Sequence, residues 1–162
     1  MANEKAFETA LLYRGMIINA AITIEVLIDE ILALYFTKEN GMGKDFKMFL
    51  LTSDKIGVEN KRKTLETILK NRFLNLHKEY APILRTIQNE IYPIRNRFAH
   101  QTMEYINDDA EIGLYKVKDD IQLDWFNNHE LSKWTFTAGK CGDELVNLRA
   151  KMILIFRGET KR

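Results

Sequence analysis

The chain has 162 residues, 46% of them apolar and 29% charged, and a formal net charge of +1; this composition excludes a disordered or fibrous chain and fits one globular domain with its own core. A single cysteine, Cys141, excludes an internal disulfide and a cysteine-based zinc cluster, which points to a reducing cytosol. The opening stretch, MANEKAFETA, has no basic n-region and no uninterrupted apolar run, so a signal peptide is not expected.

Residues 3–36 contain no proline and only Gly15, and Phe7, Leu11, Ile18, Ile22, Leu32 and Tyr35 recur at helical spacing, which predicts one long helix. The run MIINAAITIEVLIDEILALYF could span a bilayer by length. Glu25, Asp29 and Glu30 interrupt it at a cost of about 3 kcal/mol each, so it reads as a buried helix and no membrane association is expected. Ile17, Ile24, Val26, Leu27, Ile28, Ile31 and Leu34 widen its apolar surface beyond one stripe. Such a helix either runs through the centre of the fold or also lies in a dimer interface.

The glycines and polar residues of TKENGMGKD predict a loop over 37–44. A short helix follows near 46–51, then a longer one from about Ser53, its N-cap, to Lys70. From Leu74 to about Thr102, the spacing of Leu76, Tyr80, Ile83, Leu84, Ile87, Ile91, Ile94 and Phe98 predicts another long helix. Pro82 and Pro93 must kink or divide it, since each removes a backbone donor. EYINDDAEIG reads as a polar loop, and LYKV and IQLDWF as the strands of a β-hairpin, with Ile121, Leu123 and Trp125 alternating against Gln122 and Asp124. The closing helix presents Ala138, Cys141, Leu145, Leu148, Met152 and Ile155 as its stripe. The class is therefore mainly α, a single domain over 1–162 with a small hairpin insertion near 112–126.

Charge is unevenly spread: residues 55–100 hold ten Lys/Arg against four Asp/Glu, a local excess of +6. That excess suits a phosphate-bearing partner or a solvated helix face. The commonest catalytic signatures are absent. GMGK lacks P-loop spacing, no G-x-G-x-x-G follows a strand, and NDDAE lacks calcium-loop spacing. His77, His100 and His129 form no H-E-x-x-H, Ser53 and Ser132 sit in no nucleophile elbow, and Cys141 lies on an apolar stripe. Neither metal nor cofactor is expected.

What remains is YPIRNRFAHQ, residues 92–101. A histidine can act as acid or base near neutral pH, and an arginine offers a fixed fork of donors matched to phosphate oxygens. His100 and Arg95 thus supply the minimum for RNA cleavage without a metal: proton transfer at the 2′-hydroxyl or leaving oxygen, and stabilisation of charge on the phosphate. Asn96 lies four residues before His100, on the same helix face, and can orient the imidazole or the ligand. Arg95 and His100, five apart, diverge by about 140° on an ideal helix, so a kink at Pro93, side-chain reach or a second copy of the chain must complete the site. Arg97 reads as a solvated cation beside the motif, and Glu25 as either paired with a cation in the bundle or part of the cleft; both are candidate substrate-binding positions.

RNRFAH resembles the R-x-x-x-x-H signature, with a polar residue directly after the arginine, of the HEPN superfamily (higher eukaryotes and prokaryotes nucleotide-binding), through Arg95, Asn96 and His100. AAITIEVLIDEILALYF is similar to the first HEPN helix, and the resemblance covers residues 3 to about 102. It implies an antiparallel α-helical bundle that forms a homodimer with two motifs facing one cleft. It further implies a metal-independent endoribonuclease that leaves a 2′,3′-cyclic phosphate, with Arg95, Asn96 and His100 as catalytic residues. Toxin–antitoxin and abortive-infection systems are the setting it suggests, with a cognate antitoxin as partner. Members without activity serve as nucleotide-binding or protein-interaction modules.

Overall fold

A computed structural model describes residues 2–38, 42–52, 56–106, 111–117 and 121–159. It is mainly helical with one small antiparallel sheet. Helix α1 spans Ala2–Thr37, α2 Gly43–Phe46, α3 Val58–Arg72, α4 Leu74–Thr86, α5 Tyr92–His100 and α6 Asn128–Phe156. Strands β1 (Met103–Ile106), β2 (Glu111–Val117) and β3 (Ile121–Phe126) lie in the order β1-β2-β3. Among the described residues, no helix is long and apolar enough to cross a membrane.

The chain folds into two compact units, one of residues 1–22 and 89–139, the other of residues 23–88 and 140–162. The second unit buries Ile24, Ile28, Ile31 and Leu32 of α1, Leu65 and Leu69 of α3, Tyr80 and Leu84 of α4, and Cys141, Leu145, Leu148 and Met152 of α6. Edge-to-face rings of Tyr35, Phe73 and Phe156 close it at one end, with Phe73 centred 6.1 Å from each of the other two.

The first unit buries Ala10, Ile17 and Ala21 of α1, Phe98 of α5, Ile112 and Leu114 of β2, and Leu131, Trp134 and Ala138 of α6. Phe98 meets Phe126 of β3 at 5.5 Å, which sets the sheet against α5. A capping box starts α6: Glu130 donates its backbone N–H to Asn127 Oδ1 at 2.9 Å, and Asn127 returns its own to Glu130 Oε2 at 3.0 Å.

The two prolines act differently. Pro82 sits inside α4 without dividing it. Before Pro93 the helix widens into a π-helical turn, Ile87–Ile91, because Pro93 has no N–H for the Asn89 carbonyl one turn back. The indole Nε1 of Trp134 donates to the neighbouring Glu90 carbonyl at 3.2 Å.

Three expectations change. Helix α3 begins at Val58 with Gly57 as its N-cap, and Ser53 lies outside the described residues. The segment read as a polar loop supplies β1 and the start of β2, so the hairpin is a three-stranded sheet. On α1, Ala10, Ile17, Ala21, Ile24, Ile28 and Ile31 are buried while Phe7, Leu11 and Ile22 are exposed, so the core stripe is not the one the spacing suggested. On β3, Phe126 and Asp124 face α5. Leu123 and Trp125 lie over Gly113, where a Cβ would come within 2.9 Å of each, so only glycine fits beneath them without a shift.

Candidate functional site

Helix α5 is regular from Tyr92 to His100, and the π turn lies before it, so it does not turn Arg95 relative to His100. The divergence of about 140° that the spacing predicts therefore persists, and the Pro93 distortion does not complete the site. Arg95 is half-buried and donates from Nη1 to Asn96 Oδ1 at 2.9 Å. That bond fixes the guanidinium and turns the Asn96 carboxamide oxygen towards Arg95, not His100. His100 is exposed in the last turn of α5 and has no hydrogen-bond partner among the described residues. A cation in that last turn is favoured by the helix dipole.

One further residue joins the motif. Arg14 of α1 donates from Nη2 to the carbonyl of Ala99 at 3.1 Å, meeting one of the free carbonyls at the end of α5 next to His100. The sequence carried a signal for it: Arg14 is the only charged residue between Glu8 and Glu25 in an otherwise apolar stretch. The end of α5 thus carries Arg14 and His100, while Arg95 and the Asn96 amide lie about a turn earlier, with Arg95 on a different face.

Arg97 is not the solvated cation its position suggested. Its Nη2 binds Asp124 Oδ2 of β3 at 2.5 Å, and its guanidinium lies 4.8 Å from the centre of the Phe126 ring. Its Nε is buried without an acceptor. Arg97 therefore ties the sheet to α5, and Arg97→Ala should lower stability by about 1 to 2 kcal/mol, the combined scale of a half-exposed ion pair and a cation–π contact. Denaturant unfolding measures this, and Arg97→Lys should recover only part, since lysine lacks the planar fork.

Glu25 belongs to the other unit and takes the first of its two readings. Its Oε1 accepts from Lys61 Nζ at 2.7 Å, and Lys61 also donates to Asp29 Oδ2 at 3.1 Å. The Lys61 and Asp29 side chains are 3% and 2% exposed, and Asp29 Oδ1 is buried without a donor. Burial raises the Asp29 pKa above the usual carboxylate value, more than the Lys61 hydrogen bond lowers it. Burial works against the charge of Lys61, but its hydrogen bonds to Glu25 and Asp29 outweigh this and its pKa rises.

The neighbouring Arg62 is 2% exposed and bridges Glu59 at 2.8 Å and Glu66 at 2.7 Å, whose hydrogen bonds raise its pKa further. Two of the cations in the basic 55–100 segment are thus internal and neutralised, and of the run Lys61, Arg62, Lys63 only Lys63 is exposed. The local excess of positive charge in the sequence overstates the field that a phosphate chain meets.

Among the described residues, no three His, Cys, Asp or Glu side chains gather into a metal-binding group. Comparison with protein-family models, curated proteins and solved structures finds no match to this chain.

Proposed function

We propose that this chain is a HEPN-type endoribonuclease that works without a metal, as a homodimer in which two copies of the Arg95–Asn96–His100 motif share one cleft. The observation that carries the proposal is an exposed imidazole at the end of α5, where Arg14 binds the preceding Ala99 carbonyl, about a turn beyond an arginine that bonds to Asn96. In the reaction the 2′-oxygen attacks phosphorus as its proton passes to an imidazole. The bond to the 5′-oxygen breaks, and that oxygen takes a proton from the other imidazole. A 2′,3′-cyclic phosphate and a 5′-hydroxyl result, with no co-reactant. Arg95 holds the phosphate and offsets the charge that grows on it.

The divergence of Arg95 and His100 asks for a second copy, and α1 offers a surface for one. In the first unit Leu12 is 62% exposed, and Phe7, Leu11, Met16 and Ile22 are also exposed. Arg14 lies within this stretch and bonds to the end of α5, so a dimer formed along it brings the two motif-bearing helix ends near each other. Leu12→Glu should convert the protein from dimer to monomer by light scattering and abolish cleavage without unfolding it, because Leu12 takes no part in the core. A wild-type monomer at micromolar concentration contradicts the shared cleft.

A non-catalytic HEPN module for nucleotide or protein binding is the second reading, favoured by the absence, among the described residues, of any hydrogen-bond partner that orients His100. Single-stranded RNA incubated with purified protein in EDTA decides between them: cleavage supports the nuclease, intact RNA the module. A role as the toxin of a toxin–antitoxin or abortive-infection pair, with an antitoxin as partner, follows from the nuclease reading.

A further inference from the structure

The first unit holds a cleft of about 370 Å³ along the motif helix, lined by residues of the π turn, α5 and α6. Pro93, Ile94 and Trp134 form its apolar walls, and Asn89 and Thr137 stand at its edge. Trp134 is held by its bond to the Glu90 carbonyl, and the residue is 8% exposed. The carboxamide of Asn89 and the ammonium of Lys133 have no partner among the described residues. Thr137 donates to the Lys133 carbonyl at 2.9 Å and keeps its lone pairs for a ligand.

Charge selects the class of ligand. Arg97 is already paired with Asp124, which leaves Lys133 facing Glu90 and Glu130 around the cleft, so it does not draw in an anion. Flat apolar walls with a donor–acceptor amide at the rim suit a neutral planar ring whose edge carries both kinds of polar atom. The π turn, a feature that occurs disproportionately at functional sites, supplies Asn89 and Glu90 to the cleft and runs directly into the helix that carries the motif. Arg97, on the cleft, lies three residues before His100, about 60° away around the helix and about 4.5 Å along it.

We infer that this cleft is a subsite for an unpaired nucleobase of the RNA, with the ring between Ile94 and Trp134 and the base edge read by Asn89. The inference rests on the ribonuclease reading and adds to it a source of base preference. Asn side chains can pair with a base edge through both amide atoms, and base stacking on apolar and aromatic walls holds single strands.

Trp134 reports occupancy once the other indole is removed, so the protein is tested as Trp125→Phe. Adenosine and uridine are titrated to millimolar concentration against ribose 5-phosphate and orthophosphate. At least one nucleoside should change Trp134 emission saturably, the two baseless phosphates should not, and Asn89→Ala and Thr137→Leu should each weaken the response about tenfold, the scale of a lost hydrogen bond or a narrowed cleft. No response to either nucleoside, an equal response to ribose 5-phosphate, or no change in either variant overturns the inference. Binding is read without turnover. A nucleoside response in a protein that leaves RNA intact supports the cleft and refutes the nuclease; cleavage without a response does the reverse.

Discussion

His100→Ala should lower RNA cleavage by about two orders of magnitude or more, the usual worth of a general acid–base group, while fold and RNA affinity stay nearly unchanged. The side chain is exposed and makes no bond that the fold needs, so a loss of rate cannot be put down to unfolding. Arg95→Ala should lose affinity as well as rate, because a guanidinium on a phosphate acts in the ground state and the transition state alike. Single-turnover cleavage with saturating protein, set beside equilibrium RNA binding, separates the two effects. A His100→Ala variant that cuts as fast as wild type removes the imidazole from the mechanism.

The largest expected effect on stability lies in the second unit, at Lys61. Lys61→Leu leaves the Asp29 carboxylate buried without a counter-ion and should cost about 3 to 5 kcal/mol, whereas Lys61→Leu with Asp29→Leu should cost much less, because no charge is then stranded. The pH dependence follows from the directions of the shifts. Lys61 has a raised pKa, so its contribution is fully present below about 10.5 and is lost as pH climbs through its higher folded value. Asp29 is also raised, so its ionised form is the disfavoured one. Its penalty begins as pH rises past its ordinary value of 3.8 and grows up to the folded pKa. The single variant should therefore regain stability towards mildly acidic pH, where Asp29 takes up a proton, and the double variant should not. Urea unfolding of wild type and both variants across pH 4 to 8 measures this, and equal losses in the single and double variants refute the buried-pair account.

Helices were the legible part of the sequence, because a 3.6-residue apolar period survives in α1, in the run from α4 to α5, and in α6. Which stripe of α1 is the core was not legible. Phe7 and Ile22 are more apolar than Ala10 and Ala21, yet the alanines are buried with Ile17 and Ile24 while Phe7 and Ile22 are exposed, so side-chain hydropathy alone did not mark the core face. Strand β1 was missed because MEYI is short and followed by acidic residues, and its pairing comes from backbone bonds to β2. The alternation of β3 did not show that Asp124 pairs with Arg97, a partner 27 residues away. Likewise, the burial of Lys61 depends on Glu25 and Asp29, which lie 36 and 32 residues before it. Of the site, Arg95, Asn96 and His100 were legible as a motif, whereas Arg14 was missed because its bond to the Ala99 carbonyl joins residues 85 apart. The bond that turns Asn96 to Arg95 and the cleft beside the π turn needed three dimensions.

The central claim is that the chain cuts RNA by attack of the 2′-hydroxyl, with protein groups alone moving the protons. Mass spectrometry of the ends formed when wild-type protein acts on a defined single-stranded RNA in EDTA tests it most directly. The account predicts fragments ending in 2′,3′-cyclic phosphate, paired with fragments beginning in 5′-hydroxyl, and neither from His100→Ala. Intact RNA, or fragments with 3′-hydroxyl and 5′-phosphate ends, would contradict it.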